Sequence, residues 1–164
     1  MTTATPAPTA TYDPARPAWT ILYYASADSD HAPFVWDDLN EMEAGASSDQ
    51  VQVVAQVDWP ASGPANTAES VRYLIQPDTD PAQLASEAVA TLGESNQGDP
   101  ATLADFLAWG IATYPANHTV LVLGGFGGGW AGCCLDTAAG APDVSDHLNL
   151  TELDQALALA QGQS

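Results

Sequence analysis

The stretch "LVLGGFGGGWAGCC", Leu121 to Cys134, constrains this chain more than any other. The apolar run that leads into it, "HTVLVL" from His118 to Leu123, shows no polar alternation and is expected to form a strand buried on both faces. That strand empties into five glycines, Gly124, Gly125, Gly127, Gly128 and Gly129, which enclose Phe126 and end at Trp130. Loops at the ends of α/β strands are where such folds place ligands and chemistry. The glycine spacing fits neither G-x-G-x-x-G nor G-x-x-x-x-G-K-[ST], and no Lys or Ser/Thr follows, so a phosphate cradle is disfavoured. A hydrolase elbow needs a serine between glycines, and phenylalanine holds that place. Glycines that give the backbone unusual angles beneath a bulky Trp130 are the simplest structural account.

The rest of the pattern surrounds this loop with strands and helices. "WTILYYAS", Trp19 to Ser26, reads as a central strand that ends in the polar "ADSD". From Pro33, the residues Phe34, Trp36, Leu39 and Met42 recur near helical spacing until Gly45, with the acids of "DDLNEME" on the expected solvated face. Val51 to Trp59 and Ser70 to Gln76 read as two strands joined by a Pro/Gly-rich hairpin-like loop. Asp80 to Gly93 reads as a helix, with Leu84, Ala88 and Leu92 on one face. A stronger helix starts at Asp99, a cap, and Pro100, suited to a first turn. It continues through Leu103, Phe106, Leu107, Ile111 and Tyr114. The last helix, "LTELDQALALAQ", offers Thr151 and Asp154 as a capping box. This order predicts an α/β fold with a mostly parallel central sheet and helices on its faces. One domain, residues 18–164, follows a Pro/Thr/Ala-rich leader, residues 1–17, expected to be disordered.

Charge narrows the partners. Against 21 acidic residues stand only Arg16 and Arg72, for a formal net charge of -19. Such a surface repels nucleic acid and anionic lipid, which are bound by Lys and Arg. A cationic partner or a high-salt setting suits it better. No apolar run reaches the roughly 18 residues of a membrane span, so a soluble protein is expected. The start has no basic patch before an apolar core, so no signal peptide is read; cytoplasm is the default and export the alternative. The two cysteines, Cys133 and Cys134, are adjacent, would close a strained ring, and read as small buried residues beside the loop.

Several stretches together resemble one family. "WTILYYASADSDHAPFVWDDLNEMEAGASSDQVQVVAQVDW", "RYLI", "LGESNQGDPATLADFLAWGIATYPANHTVLVL" and "GGGWAG" are similar, in order, to the clostripain family of cysteine peptidases. The resemblance implies a caspase-like α/β/α sandwich. It also implies a His/Cys dyad in which imidazole takes the thiol proton, thiolate attacks the carbonyl and backbone amides hold the oxyanion, with Arg or Lys preferred before the cut bond. The family's histidine directly precedes the "GGGW" glycines, where this chain has Phe126, so the resemblance implies no general base there. The family's cysteine, in an Asp-Ala-Cys motif after the last helix, would lie beyond Ser164, as would the final strands. The fold is therefore expected to be incomplete at its C-terminal side, with an open sheet edge that invites a second copy or a partner chain.

The expectation is a clostripain-like peptidase domain, inactive as it stands, with a non-catalytic peptide- or protein-binding module as the alternative. The candidate site is the loop Gly124, Gly125, Phe126, Gly127, Gly128, Gly129 and Trp130, with no catalytic residue and no metal ligand assigned. Calcium enters only by family resemblance; Asp28 to Asp30 offer oxygen ligands, but too few alone. Of the histidines, His31 lies nearest the expected site, His118 at the far end of its strand, and His147 in an exposed polar connection.

Overall fold

The computed structural model describes residues 12–45, 48–138 and 145–163. Most of the expected leader, 1–11, lies outside them. Its last part is tied down: Asn117 Oδ1 accepts from the Asp13 amide at 2.6 Å and Asn117 Nδ2 donates to the Asp13 carbonyl at 2.8 Å. The elements run β1 (Trp19–Ser26), α1 (Ala32–Gly45), β2 (Val51–Asp58), β3 (Ser70–Leu74), β4 (Ala88–Thr91), α2 (Pro100–Thr113), β5 (His118–Gly124), β6 (Cys133–Asp136), β7 (Asp146–Leu148) and α3 (Leu150–Gln163).

β1 occupies the middle of a five-stranded sheet ordered β4-β3-β2-β1-β5. It pairs in parallel with β2 and with β5, while β3 and β4 extend the sheet antiparallel beyond β2. Strand alternation then decides which helix covers which face. Tyr23, Ala25, Val53, Ala55 and Val57 meet Val35 and Leu39 of α1 in one core. Leu22, Tyr24 and Val54 meet Leu103, Phe106 and Leu107 of α2, and Ala156 and Ala160 of α3, in the other. This is the α/β/α sandwich. Gly110 permits the close approach of α2, since a Cβ there would stand 2.7 Å from Leu22 Cδ2.

α2 begins as its sequence indicates, with the Asp99 side chain accepting from the Ala101 amide and Pro100 in the first turn. α3 is capped differently from the expected Thr151/Asp154 box. Asn149 Oδ1 accepts from the amides of Thr151 and Glu152, and Glu152 Oε2 accepts from the Asn149 amide, so the reciprocal pair is Asn149/Glu152.

Three other expectations are corrected. β5 is not buried on both faces: it is the sheet's edge, paired with β1 alone among the described residues, and Val120 and Val122 are exposed. A continuous apolar run cannot distinguish a central strand from an edge strand. No helix forms over 80–93. Asp78 and Asp80 make local side-chain turns, and 88–91 pairs with β3 as an edge strand, a tertiary contact that overrides helical spacing. The acids of α1 are not all solvated, since Glu43 is buried and its carboxylate accepts from the amides of Ala85 (3.2 Å) and Ser86 (2.6 Å). Glu43 thus ties this irregular segment to α1.

The one buried cation is also structural. Arg72 in β3 is 5% exposed, donates to Gln56 Oε1 (2.8 Å) and Asp105 Oδ2 (2.6 Å), and lies 4.3 Å over the Trp109 ring. It joins the sheet to α2 through hydrogen bonds, an ion pair and a cation–π contact.

Candidate functional site

The carboxyl ends of the parallel strands β1, β2 and β5 form one rim, the place where open α/β sheets collect ligand-binding loops. The glycine loop lies there, and its first two glycines are required by space. A Cβ on Gly124 would meet the Tyr23 hydroxyl at 2.5 Å, and one on Gly125, at φ 123°, the Ser26 carbonyl at 2.9 Å. The loop then turns through a short 3-10 segment, Gly129–Ala131, and returns into β6. Gly132 is the tightest point: its φ is 134°, and a Cβ would run into the Leu148 carbonyl. The Gly128 amide donates to the Gly132 carbonyl at 2.8 Å and the Leu135 amide to the Phe126 carbonyl at 3.3 Å, closing the loop upon itself.

What this backbone presents is aromatic. Trp130 is 88% exposed and Phe126 42%. The Phe126 ring packs on His31, centroids 4.9 Å apart, and His31 also contacts the Phe34 ring at 5.4 Å. The structure thus brings His31, from the β1–α1 loop, onto the loop residue that resemblance equates with the family's histidine. Behind Phe126 opens a shallow pocket of about 240 Å³, walled by the loop glycines with Cys133, Leu135 and His147. His147 is exposed, as expected, but sits in β7 on this pocket rather than in an irregular connection. His118 lies at the opposite end of β5, exposed and tilted against the Trp19 ring at 4.6 Å.

The cysteines differ sharply from each other. Cys134 is buried, at φ 57°, and its thiol donates to Cys133 Sγ at 3.5 Å. That hydrogen bond pulls the half-buried Cys133 thiol down from 9.0 to about 7, against the opposing effect of burial. The same contact, with burial, drives Cys134 far up. Both thiols are free.

A second feature on the rim went unread in the sequence. Carboxylate oxygens of Asp28, Asp58, Glu94 and Asp136 lie within 4.8 Å of one another. They arrive from the β1–α1 loop, the last residue of β2, the segment before α2 and the last residue of β6. Of the contiguous Asp28 to Asp30, only Asp28 takes part. Asp58 is fully buried: Oδ1 accepts from Ser70 Oγ at 2.6 Å, while Oδ2 has no hydrogen-bond partner. Burial pushes its carboxyl up to about 8, the Ser70 bond opposes this, and the charges of Glu94, Asp136 and Asp28 add to it. Asp136 accepts from the amides of Gln97 and Ala138 (2.8 and 2.9 Å), and Gln97 Nε2 reaches Ser70 and Ser95. These residues are spread from position 28 to position 136, so no local spacing could have flagged them.

No curated protein matches the chain. Among solved structures, a secreted C11 cysteine protease from Bacteroides thetaiotaomicron, in complex with an irreversible peptide inhibitor, is similar with a TM-score of 0.69 and 22% identity, over 88% of this chain and 40% of its own. A B. fragilis cysteine protease has a TM-score of 0.55 at 18% identity, over 69% of this chain and 92% of its own. The secreted C11 cysteine protease of B. thetaiotaomicron called "iotapain" has a TM-score of 0.53 at 13% identity, over 71% of this chain and 32% of its own. These likenesses establish the fold, and the chain spans 40% of the length of the first of them. The family model described as the clostripain family matches residues 23–164, from the middle of β1 through α3, and the chain therefore belongs to the clostripain family.

Proposed function

We propose that this chain uses a clostripain-family peptidase fold to bind basic peptide segments at the glycine loop without cleaving them. The observation that carries the reading is the environment of Phe126. At the place where resemblance puts the general base stands a benzyl ring tilted against the His31 ring, and a benzyl group neither accepts nor donates a proton. Neither cysteine lies in an Asp-Ala-Cys motif. The loop retains what recognition needs: exposed aromatic surface at Trp130 and Phe126 beside a shallow pocket. The net charge of -19 favours cationic ligands, in keeping with the Arg or Lys preference that the family resemblance implies.

One observation favours a second reading. Cys133 has a lowered thiol pKa and shares the Phe126 pocket with His147, a nucleophile and a base on one wall. The two readings part in a single assay. On fluorogenic Arg and Lys peptides, non-catalytic binding predicts no turnover, and labelled Arg peptides whose anisotropy rises with the native chain but not with Trp130→Ala. Turnover that disappears in Cys133→Ala establishes the second reading instead.

A further inference from the structure

We propose that Cys133 and Cys134 form a reversible oxidation site, closed to a disulfide within the pair by hydroperoxides small enough to enter the pocket behind Phe126. Backbone geometry brings the sulfurs together. In a regular strand consecutive side chains point to opposite faces, which keeps neighbouring sulfurs apart. β6 departs from that pattern: its pairing with β7 shifts register between Cys133 and Asp136, and Cys134 stands at φ 57°, a left-handed conformation that residues other than glycine rarely adopt. The two sulfurs consequently lie on one side, 3.5 Å apart, with the Cys134 thiol donating to Cys133 Sγ.

Access and burial give the two thiols different parts. Cys133 is half-buried and walls the pocket of about 240 Å³ together with Leu135 and His147, so a small peroxide reaches its sulfur. Cys134 is fully buried, which shields it from external thiols and leaves Cys133 as its partner. The hydrogen bond from Cys134 favours thiolate at Cys133, the form that attacks. That sulfur takes one oxygen of the hydroperoxide, the O–O bond breaks, and the departing hydroxide or alkoxide is protonated by solvent, leaving a sulfenic acid. The Cys134 sulfur then attacks the Cys133 sulfur, the S–O bond breaks, and hydroxide leaves as water with the Cys134 proton. Two electrons have passed from the pair of thiols to the peroxide. The ring so formed is strained, because adjacent Cα atoms are about 3.8 Å apart while relaxed disulfides begin near roughly 4.4 Å. Strained disulfides are the readily reduced ones, so the pair suits a switch and not a staple. Closure draws the Cys133 sulfur off the pocket wall and changes the surface behind Phe126. None of this depends on whether the glycine loop binds or cleaves.

The test uses the whole chain, reduced and then treated with hydrogen peroxide. Intact mass should fall by two hydrogen atoms per chain as both thiols disappear together, peptide mapping should place the link between Cys133 and Cys134, and glutathione should restore both thiols. Cys133→Ser should slow thiol loss by roughly tenfold or more, since the buried Cys134 lacks both access and thiolate. Cys134→Ser should arrest the reaction at a Cys133 sulfenic acid, which dimedone traps. Circular dichroism checks that each variant is folded. Cys133→Ser alters only a half-buried side chain, so the comparison stands even if Cys134→Ser does not fold. A native chain whose Cys133 proceeds to sulfinic acid while Cys134 stays a free thiol would overturn the proposal. So would thiols that resist peroxide, dimers linked through Cys133, closure only in urea, or thiol loss as fast in Cys133→Ser as in the native chain.

Discussion

The glycine loop and the carboxylate nest share one rim of the sheet and are built by opposite means. The loop is contiguous, shaped at Gly125, Gly129 and Gly132 by backbone that favours glycine, and open to solvent through Phe126 and Trp130. The nest is gathered from four separate segments, shaped by side-chain hydrogen bonds, and largely enclosed. The contiguous feature drew attention in the sequence but carries no acid or base at its centre. The dispersed feature left no local signal but concentrates the charge. Chemistry on this rim is therefore to be sought where side chains from different strands converge.

The contrast predicts that the two features break differently. The largest effect is expected at Gly132, where the alanine Cβ meets the Leu148 carbonyl and φ is 134°. Gly132→Ala should cost about 3 kcal/mol, the scale of a strained backbone plus a steric clash, read as a lower urea midpoint. Little change would mean that the loop's shape is not fixed by its backbone. Next is Ser70, which donates to Asp58 and accepts from Gln97 in a buried network. Ser70→Ala leaves the buried Asp58 Oδ1 without its donor and should cost about 2 kcal/mol in chemical denaturation. A cost near zero would show that the nest is not organised by hydrogen bonding.

Smaller effects sharpen the picture of the loop. Phe126→Ala removes a ring that is 42% exposed and tilted against His31, and should cost about 1 kcal/mol while lowering affinity for Arg peptides. A large loss of stability would instead place Phe126 in the core. Least of all, the cysteines should part on alkylation. Cys133 should react with iodoacetamide with a half-maximal rate near pH 7, because its thiolate is favoured by the Cys134 hydrogen bond, and the rate should fall as pH drops below that. Cys134, buried and raised, should stay unmodified in the folded chain. Two equivalents of label below pH 8 would contradict this assignment.

These differences also explain what could be read from residues alone. α2 was legible because Asp99, Pro100 and the Leu103/Phe106/Leu107 stripe all act locally. β1 and β2 were legible as uninterrupted β-branched and aromatic runs, and the glycine loop as punctuation after a strand. β4 was not, because its strand state comes from pairing with β3 while Leu84, Ala88 and Leu92 in and around it keep helical spacing. The burial of Glu43 was hidden for the same reason, since its partners, Ala85 and Ser86, are over forty residues away. The approach of His31 to Phe126 depends on β1 and β5 being parallel neighbours, which no spacing in the chain encodes.

The central claim is that the chain keeps the clostripain fold while Phe126 removes the general base from its loop. Turnover of fluorogenic Arg and Lys peptides, with calcium and reductant present and Cys133→Ala/Cys134→Ala as the control, tests it most directly. The account predicts no cleavage above the control. Cleavage by the native chain that vanishes in the double variant would contradict it and make an adjacent cysteine the nucleophile.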